Sequence, residues 1–425
     1  MLKYLFIKYK SYFELLILFV LIYAGIYNSN FYLVALGINL FTVTFRSYKK
    51  AFAQLFFLLP FSMIYKFPGS TSFFTYGMLV LSARCLIHFI NKRNAGIILF
   101  LSLLTIYFVL GIRESFSSVY RVVCGILCLI AFVKNTKLAD IKEIVISSSL
   151  GILFASYMGL SKTSNPQITR FFKGLNREWM DGEATYRFSG LMPDPNYYSV
   201  AVIVTLFMLL RLIQAKAINK FWGSGLIICL VFFGFKSYSR LYYIAVGIFI
   251  LYYLYVMYKN TRYKFVSLCV FVISSIVGWG YIITSSFYSK MLVRFQEEDI
   301  TNGRASIFKN YMQAFADNPS ILLYGVGLDG PLVRWIGAHN TYVEIVYFVG
   351  LAGSTIFMIL IYKIFQMRGH LSHDWNNYIL LFTFLIMIAS LGFFTHSDLY
   401  FYLMFIWATL YYSFNDLASL SSLNH

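Results

Sequence analysis

His339 and Asn340 stand together at the mouth of an apolar stretch, and the polar loop before them carries Lys290, Arg294, Arg304, Lys309 and Arg334. A neutral imidazole can take a proton from a hydroxyl near pH 7. Guanidinium groups hold phosphate oxygens in paired hydrogen bonds. Arg304 opens the segment NGRASIFKNYMQAFADNP, which reads as a helix capped by Thr301 or Asn302 and stopped at Asn318-Pro319. Its apolar stripe is Ile307, Tyr311, Ala314 and Phe315. A positive charge in a first helical turn opposes the helix dipole, and a bound anion would satisfy both the charge and the free N–H groups. A solvated arginine is the plainer alternative. Glu344 falls about one turn into the next apolar stretch, where a carboxylate is costly and usually functional or paired. It either orients His339 or Asn340 or makes a structural salt bridge.

Two shorter stretches add to this set. In KSYSR, Lys236 to Arg240, the arginine begins an apolar segment, with Ser237 and Ser239 as candidate caps. In RFSGLMPDPNYYS, Arg187 to Ser199, Pro193 and Pro195 enforce an extended approach and Asn196 is expected to cap the next segment. Asp194 is a site carboxylate or a second cap. The sequence GVGLDG fits a dinucleotide-binding pattern, but no βαβ unit surrounds it, so it reads as a flexible turn that folds the loop back. Asp181-Gly182-Glu183 only superficially resembles an acidic metal motif. Cys85, Cys124, Cys128, Cys229 and Cys269 all lie in apolar runs without metal-site spacing, as small apolar fillers do.

The elements that must position these residues are apolar. The chain is 59% hydrophobic and 12% charged, far below the charge content of soluble domains. Runs long enough to cross a bilayer recur throughout. About fourteen spans are expected, at 12–27, 31–45, 51–66, 73–90, 95–112, 118–133, 141–160, 196–212, 221–236, 241–258, 263–286, 341–362, 376–393 and 398–414. The first has basic flanks but no cleavage site after it, and reads as a retained helix. The short connections 28–30 and 394–397 carry no Lys or Arg, which places them outside and the N-terminus in the cytoplasm. Arg84, within a span, is expected to snorkel towards the inner surface. This topology divides the chain into N-terminal helices (1–160), a first external loop (161–195), core helices (196–286), a large external loop (287–340) and C-terminal helices (341–425). The net charge of +18 then reflects topology more than nucleic acid. Both external loops are nevertheless basic: Lys162, Arg170, Lys173, Arg177 and Arg187 lie in the first. Anionic lipid headgroups would explain any one of these charges; their clustering favours an anionic ligand.

These motifs together resemble the O-antigen ligase and O-antigen polymerase superfamily of bacterial membrane glycosyltransferases. His339-Asn340, nine residues, then Gly350-x-x-Gly353 is similar to a pattern of its ligases. Ser239-Arg240 resembles its Ser-Arg pair, with Leu241 departing from the usual small residue. Gly303-Arg304, the following helix, Pro319 and the Gly-rich turn resemble its large external loop, and Asp194-Pro195-Asn196 a short motif before a span. The resemblance covers roughly residues 187–353. It implies an all-α polytopic membrane protein with a GT-C-like bundle. It also implies sugar transfer, with no metal or cofactor, from undecaprenyl pyrophosphate at the outer face of the bacterial cytoplasmic membrane. On it rest the assignments of Arg240 and Arg304 to the pyrophosphate and His339 as general base. Arg187, Asp194, Asn196, Asn340, Glu344 and Arg334 are expected to line the substrate site. Expected partners are lipid-linked glycan donor and acceptor, membrane lipids and a chain-length regulator protein, without nucleic acid. A polymerase is favoured over a ligase. A flippase for the same glycans is the rival, against which stands the scarcity of charges within spans.

Overall fold

The computed structural model describes residues 2–63, 72–89, 95–111, 116–171, 177–180, 183–260, 303–328, 330–368 and 375–412. Its helices are α1 (Leu2–Gly25), α2 (Asn30–Phe45), α3 (Tyr48–Leu58), α4 (Phe73–Phe89), α5 (Ala95–Leu110), α6 (Ser117–Asn135), α7 (Leu138–Gly159), α8 (Pro166–Thr169), α9 (Pro195–Gln214), α10 (Lys220–Phe235), α11 (Arg240–Asn260), α12 (Arg304–Asp317), α13 (Pro319–Tyr324), α14 (Thr341–Phe365), α15 (Asn376–Ile388) and α16 (Asp398–Tyr411). Each expected span within the described residues coincides with a helix; the one at 263–286 lies outside them. The third is cut short. After Leu58 the chain tightens into a 3-10 turn, Leu59–Phe61, where Pro60 has no N–H to give the helical ladder. Among the described residues the architecture is all-helical as expected apart from one short hairpin, in which Arg177–Met180 (β1) and Glu183–Tyr186 (β2) pair antiparallel within the first polar loop. Asp181 and Gly182, between these strands, lie outside the described residues, as do Lys173, Cys269, Lys290, Arg294, Thr301, Asn302 and Asp329.

Three of the described helices are long and apolar enough to cross a membrane unaided: Ser117–Asn135, Pro195–Gln214 and Thr341–Arg368. Shorter apolar helices surround them, and large side chains such as Phe45 on α2 (72% exposed) and Leu251 on α11 (70%) face outward. Such a surface is stable against lipid and not against water. The chain is an integral membrane protein.

Helices α3 and α9 are among those that form the interior. From Ala51 to Leu58 every residue of α3 is buried. Phe56 stacks on Phe405 at 4.3 Å and meets Phe401 edge-on, while Phe52 meets Phe132 edge-on. Its polar residue Gln54 donates to Asn39 Oδ1, whose amide in turn donates to Phe73 O, both at 2.8 Å, so no buried amide is stranded here. Helix α9 is buried from Tyr198 to Leu212 and packs on α7, α10, α11, α15 and α16. Its N-terminal end is therefore held from several sides. Arg84 donates to the carbonyls of Val43 (2.9 Å) and Arg46 (2.7 Å) over the Tyr48 ring, which gives its charge partners at the end of α2. Cys85, Cys124 and Cys128 are buried, whereas Cys229 is exposed on α10.

Candidate functional site

The site is built on the N-terminal end of α9. Pro195 occupies its first turn, and the cap is Asp194, whose Oδ1 accepts from Asn196 N–H at 2.6 Å. This corrects the expectation that Asn196 caps the helix. Pro at the first helical position leaves capping to the residue before it. The Asn196 side chain is thereby free to reach sideways, and its Oδ1 accepts from Ser239 Oγ at 2.7 Å and from Arg187 Nη2 at 3.4 Å. Arg187 is 7% exposed and also donates from Nε to Ser237 O at 3.1 Å. Ser199 Oγ lies 3.2 Å from Ser237 Oγ, and Ser239 Oγ accepts from Tyr242 N–H at 3.4 Å, as the expected cap of α11. Tyr238 sits in the left-handed region at φ 48°. The turn before α11 is thus tied to the end of α9, and Arg240, half-buried, is the next residue along it.

Lys162 joins from the first polar loop. It is 4% exposed, donates to Ser189 Oγ at 3.2 Å, and its pKa is pulled down to about 8 by burial, against the attraction of Asp194. Its role was not expected, and no local pattern marks a lysine whose burial depends on a loop 27 residues later. Asp194 also faces His339. Desolvation pushes the His339 pKa below its ordinary 6.5, the Arg304 charge lowers it further, and Asp194 opposes both. Arg304 and Asp194 therefore both lie within electrostatic reach of His339. His339 itself has φ 47°, a conformation uncommon in non-glycine residues and concentrated at functional sites.

Residues 303–328 and 330–340 pack against the bundle as a cover. On α12, Tyr311 and Phe315 are buried edge-on against Tyr347 of α14, at 4.8 and 6.1 Å. The residue before Arg304 is Gly303; the expected caps, Thr301 and Asn302, lie outside the described residues. Asn318 ends α12 and caps α13 through Ser320 N–H. The glycine-rich turn is then clasped by backbone. Helix α14 breaks at Gly350 (φ 63°, ψ 179°), and Val326 N–H and Gly327 N–H donate to Tyr347 O and Phe348 O at 2.9 Å each. A Cβ at Gly350 would fall on Leu323 O, and one at Gly325 (φ 75°) on Phe348 O. Tyr107 of α5 donates to Tyr324 O and Val349 O, closing the crossing. The expected flexible turn is a tight joint.

Residues 225–358, from α10 to the second half of α14, match the family model described as O-antigen ligase. That stretch, about a third of the chain, is similar to the family. No curated protein matches the chain. The matched segment contains Ser239-Arg240, Gly303-Arg304, His339-Asn340 and Gly350-x-x-Gly353, and it leaves Arg187, Asp194 and Asn196 outside.

Within and beside the matched segment, the structure brings together Arg187, Asp194, Asn196 and the Ser239-Arg240 turn, and sets Arg304 near His339. The other expected residues face elsewhere. Asn340 Oδ1 caps α14, accepting from Tyr342 N–H (3.0 Å) and Val343 N–H (3.2 Å). Glu344 neither orients His339 nor forms an ion pair among the described residues: its Oε2 accepts from Phe394 N–H at 3.0 Å. Arg334 is exposed on a 3-10 turn at φ 51°, with no hydrogen bond or ion pair to the cluster among the described residues.

Proposed function

We propose that this protein is a glycosyltransferase that joins undecaprenyl-pyrophosphate-linked oligosaccharide units into a surface polysaccharide at the outer face of the cytoplasmic membrane. The observation that carries the reading is the meeting of Arg187 and the Arg240 turn at the end of α9 with the Arg304–His339 pair. Four helices, α9, α11, α12 and α14, begin at or beside these residues, so the positive ends of their dipoles add to the arginine charges.

In the reaction, an acceptor hydroxyl oxygen attacks the anomeric carbon of the donor sugar. The carbon–oxygen bond to pyrophosphate breaks, and undecaprenyl pyrophosphate leaves with added negative charge. Arg240 and Arg304 stabilise that charge from fixed positions. His339 accepts the hydroxyl proton; its lowered pKa keeps it neutral and ready near pH 7. Asp194, held as a cap, balances the positive charge around the imidazole.

The family description favours a second reading, in which the acceptor is the lipid A core and the enzyme is a ligase. Composition rich in Lys, Ile, Asn, Phe and Tyr, typical of AT-rich variable polysaccharide genes, favours the polymerase. A deletion strain complemented with wild type, His339→Ala, Arg240→Ala and Arg304→Ala distinguishes them. With membrane expression checked, polysaccharide is resolved on gels and lipid-linked intermediates are extracted. A polymerase leaves a single repeat unit on the core when the variants fail. A ligase leaves long polymer on undecaprenyl pyrophosphate. Full activity in all three variants removes the catalytic assignment.

A further inference from the structure

Residues 389–397, between α15 and α16, run between the starting ends of α9 and α14 and bond to both. From α9, Tyr197 Oη donates to Gly392 O at 2.6 Å and lies 3.4 Å from His396 Nε2, with its ring edge-on to Phe393 at 4.6 Å. From α14, Thr341 Oγ1 donates to Leu391 O at 2.6 Å and accepts from Phe393 N–H at 3.1 Å. One turn on, Glu344 Oε2 accepts from Phe394 N–H. Leu391, Phe393 and Phe394 are buried, so these main-chain groups have no water to turn to. Burial foremost, with help from the Arg121 charge, lowers the His396 pKa to about 4, and the ring stays neutral beside Tyr197.

The anchor points are telling. Tyr197 directly follows Asn196, which accepts from Arg187 and Ser239. Thr341 is two residues from His339. We propose that this connector is a positioning strap that sets His339 at its working distance from the arginine-bearing end of α9, with Tyr197, Thr341 and Glu344 as its fastening residues. What it positions rests on the proposed function; the strap itself rests on the bonds above. It gives Glu344 a purpose that neither an imidazole partner nor an ion pair supplied. A carboxylate inside a membrane protein is tolerated when it receives bonds of this kind.

The test uses the full chain in nanodiscs, with native cysteines replaced and nitroxide labels on Pro193→Cys and Gly337→Cys, where a side chain at 337 meets open space. Inter-label distances are measured by pulsed electron resonance in wild type, Tyr197→Phe, Thr341→Val and Thr341→Ser. Thr341→Val and Tyr197→Phe should widen the distance distribution, and Thr341→Ser should restore it. Turnover at saturating donor should fall by roughly 10- to 100-fold in the first two, because small misplacements of reacting groups cost that much, while the KM for donor stays near wild type. Gly392→Ala, whose Cβ comes 3.0 Å from Glu344 Oε2, strains the strap from its other side and should widen the distribution too. Unchanged distances in Tyr197→Phe and Thr341→Val overturn the proposal, as does failure of Thr341→Ser to restore them. Widened distances in a protein that transfers no sugar at all would retain the strap and refute only the proposed function.

Discussion

Replacing Asn196 with Ala removes one acceptor from two donors at once. Ser239 Oγ loses a neutral hydrogen bond of 2.7 Å, worth about 1 kcal/mol net. Arg187 Nη2 loses a charged one at 3.4 Å, whose length puts it at the low end, about 1.5 kcal/mol. Arg187 is almost fully buried, so water does not replace the bond. Together about 2.5 kcal/mol of the preference for this arrangement is lost. If that arrangement is what holds Arg240 in place, turnover falls by about 70-fold at 1.36 kcal/mol per decade. The assay is transfer from a lipid-linked donor by purified protein in nanodiscs, at saturating donor, with thermal unfolding measured alongside. Asn196→Asp separates geometry from charge: it keeps the acceptor, so the fold should survive, but it adds negative charge beside Arg187 and should raise the KM for an anionic donor. An Asn196→Ala enzyme within roughly threefold of wild type, at normal abundance, would refute the reasoning.

Other outcomes follow from the same geometry. His339 must be neutral to accept a proton, so kcat/KM rises with pH through a pKa below 6.5. Arg304→Gln removes a charge that lowers this pKa and moves the acid limb to higher pH; Asp194→Asn keeps a good cap, removes a charge that raises it, and moves the limb lower. Lys162 holds its proton less tightly folded, at about 8, than its ordinary 10.5, so unfolding midpoints should rise as pH increases from 8 to 10.5, and Lys162→Met should abolish that rise. Gly350→Ala forces a side chain into a backbone region essentially reserved for glycine, at about 1–3 kcal/mol, and onto Leu323 O. It should fail to give a monodisperse peak in detergent.

The helices were legible because hydropathy alone decides where a chain can meet lipid, and even the break at Pro60 has a local cause. The proposed site residues were legible as types: Arg187, Arg240, Arg304 and His339 stand out against an apolar background. Their partners were less so. Asp194 and Asn196 are both capping types, and only the placement of Pro195 decides between them. Glu344 meets Phe394, 50 residues away, and Lys162 meets Ser189 across the β1–β2 segment. Such contacts depend on how helices pack, which no window of sequence contains. The glycine-rich turn misled for the same reason. Glycine permits both flexibility and close approach, and which one applies is set by the Tyr347 and Phe348 carbonyls that meet it.

The crossing at Gly350 joins the cover to the bundle through main-chain atoms, and main-chain atoms do not change with the gene. Just beyond it, Tyr347 Oη binds Pro331 O at 2.7 Å and Tyr311 Oη binds Ile336 O at 2.8 Å. Between those two points Leu332, Arg334 and Ile336 present their side chains outward. The segment behaves as a replaceable bit in a fixed chuck. On the proposed function, its side chains can be exchanged to suit a different sugar while His339, a few residues further on, stays where that chemistry would require it.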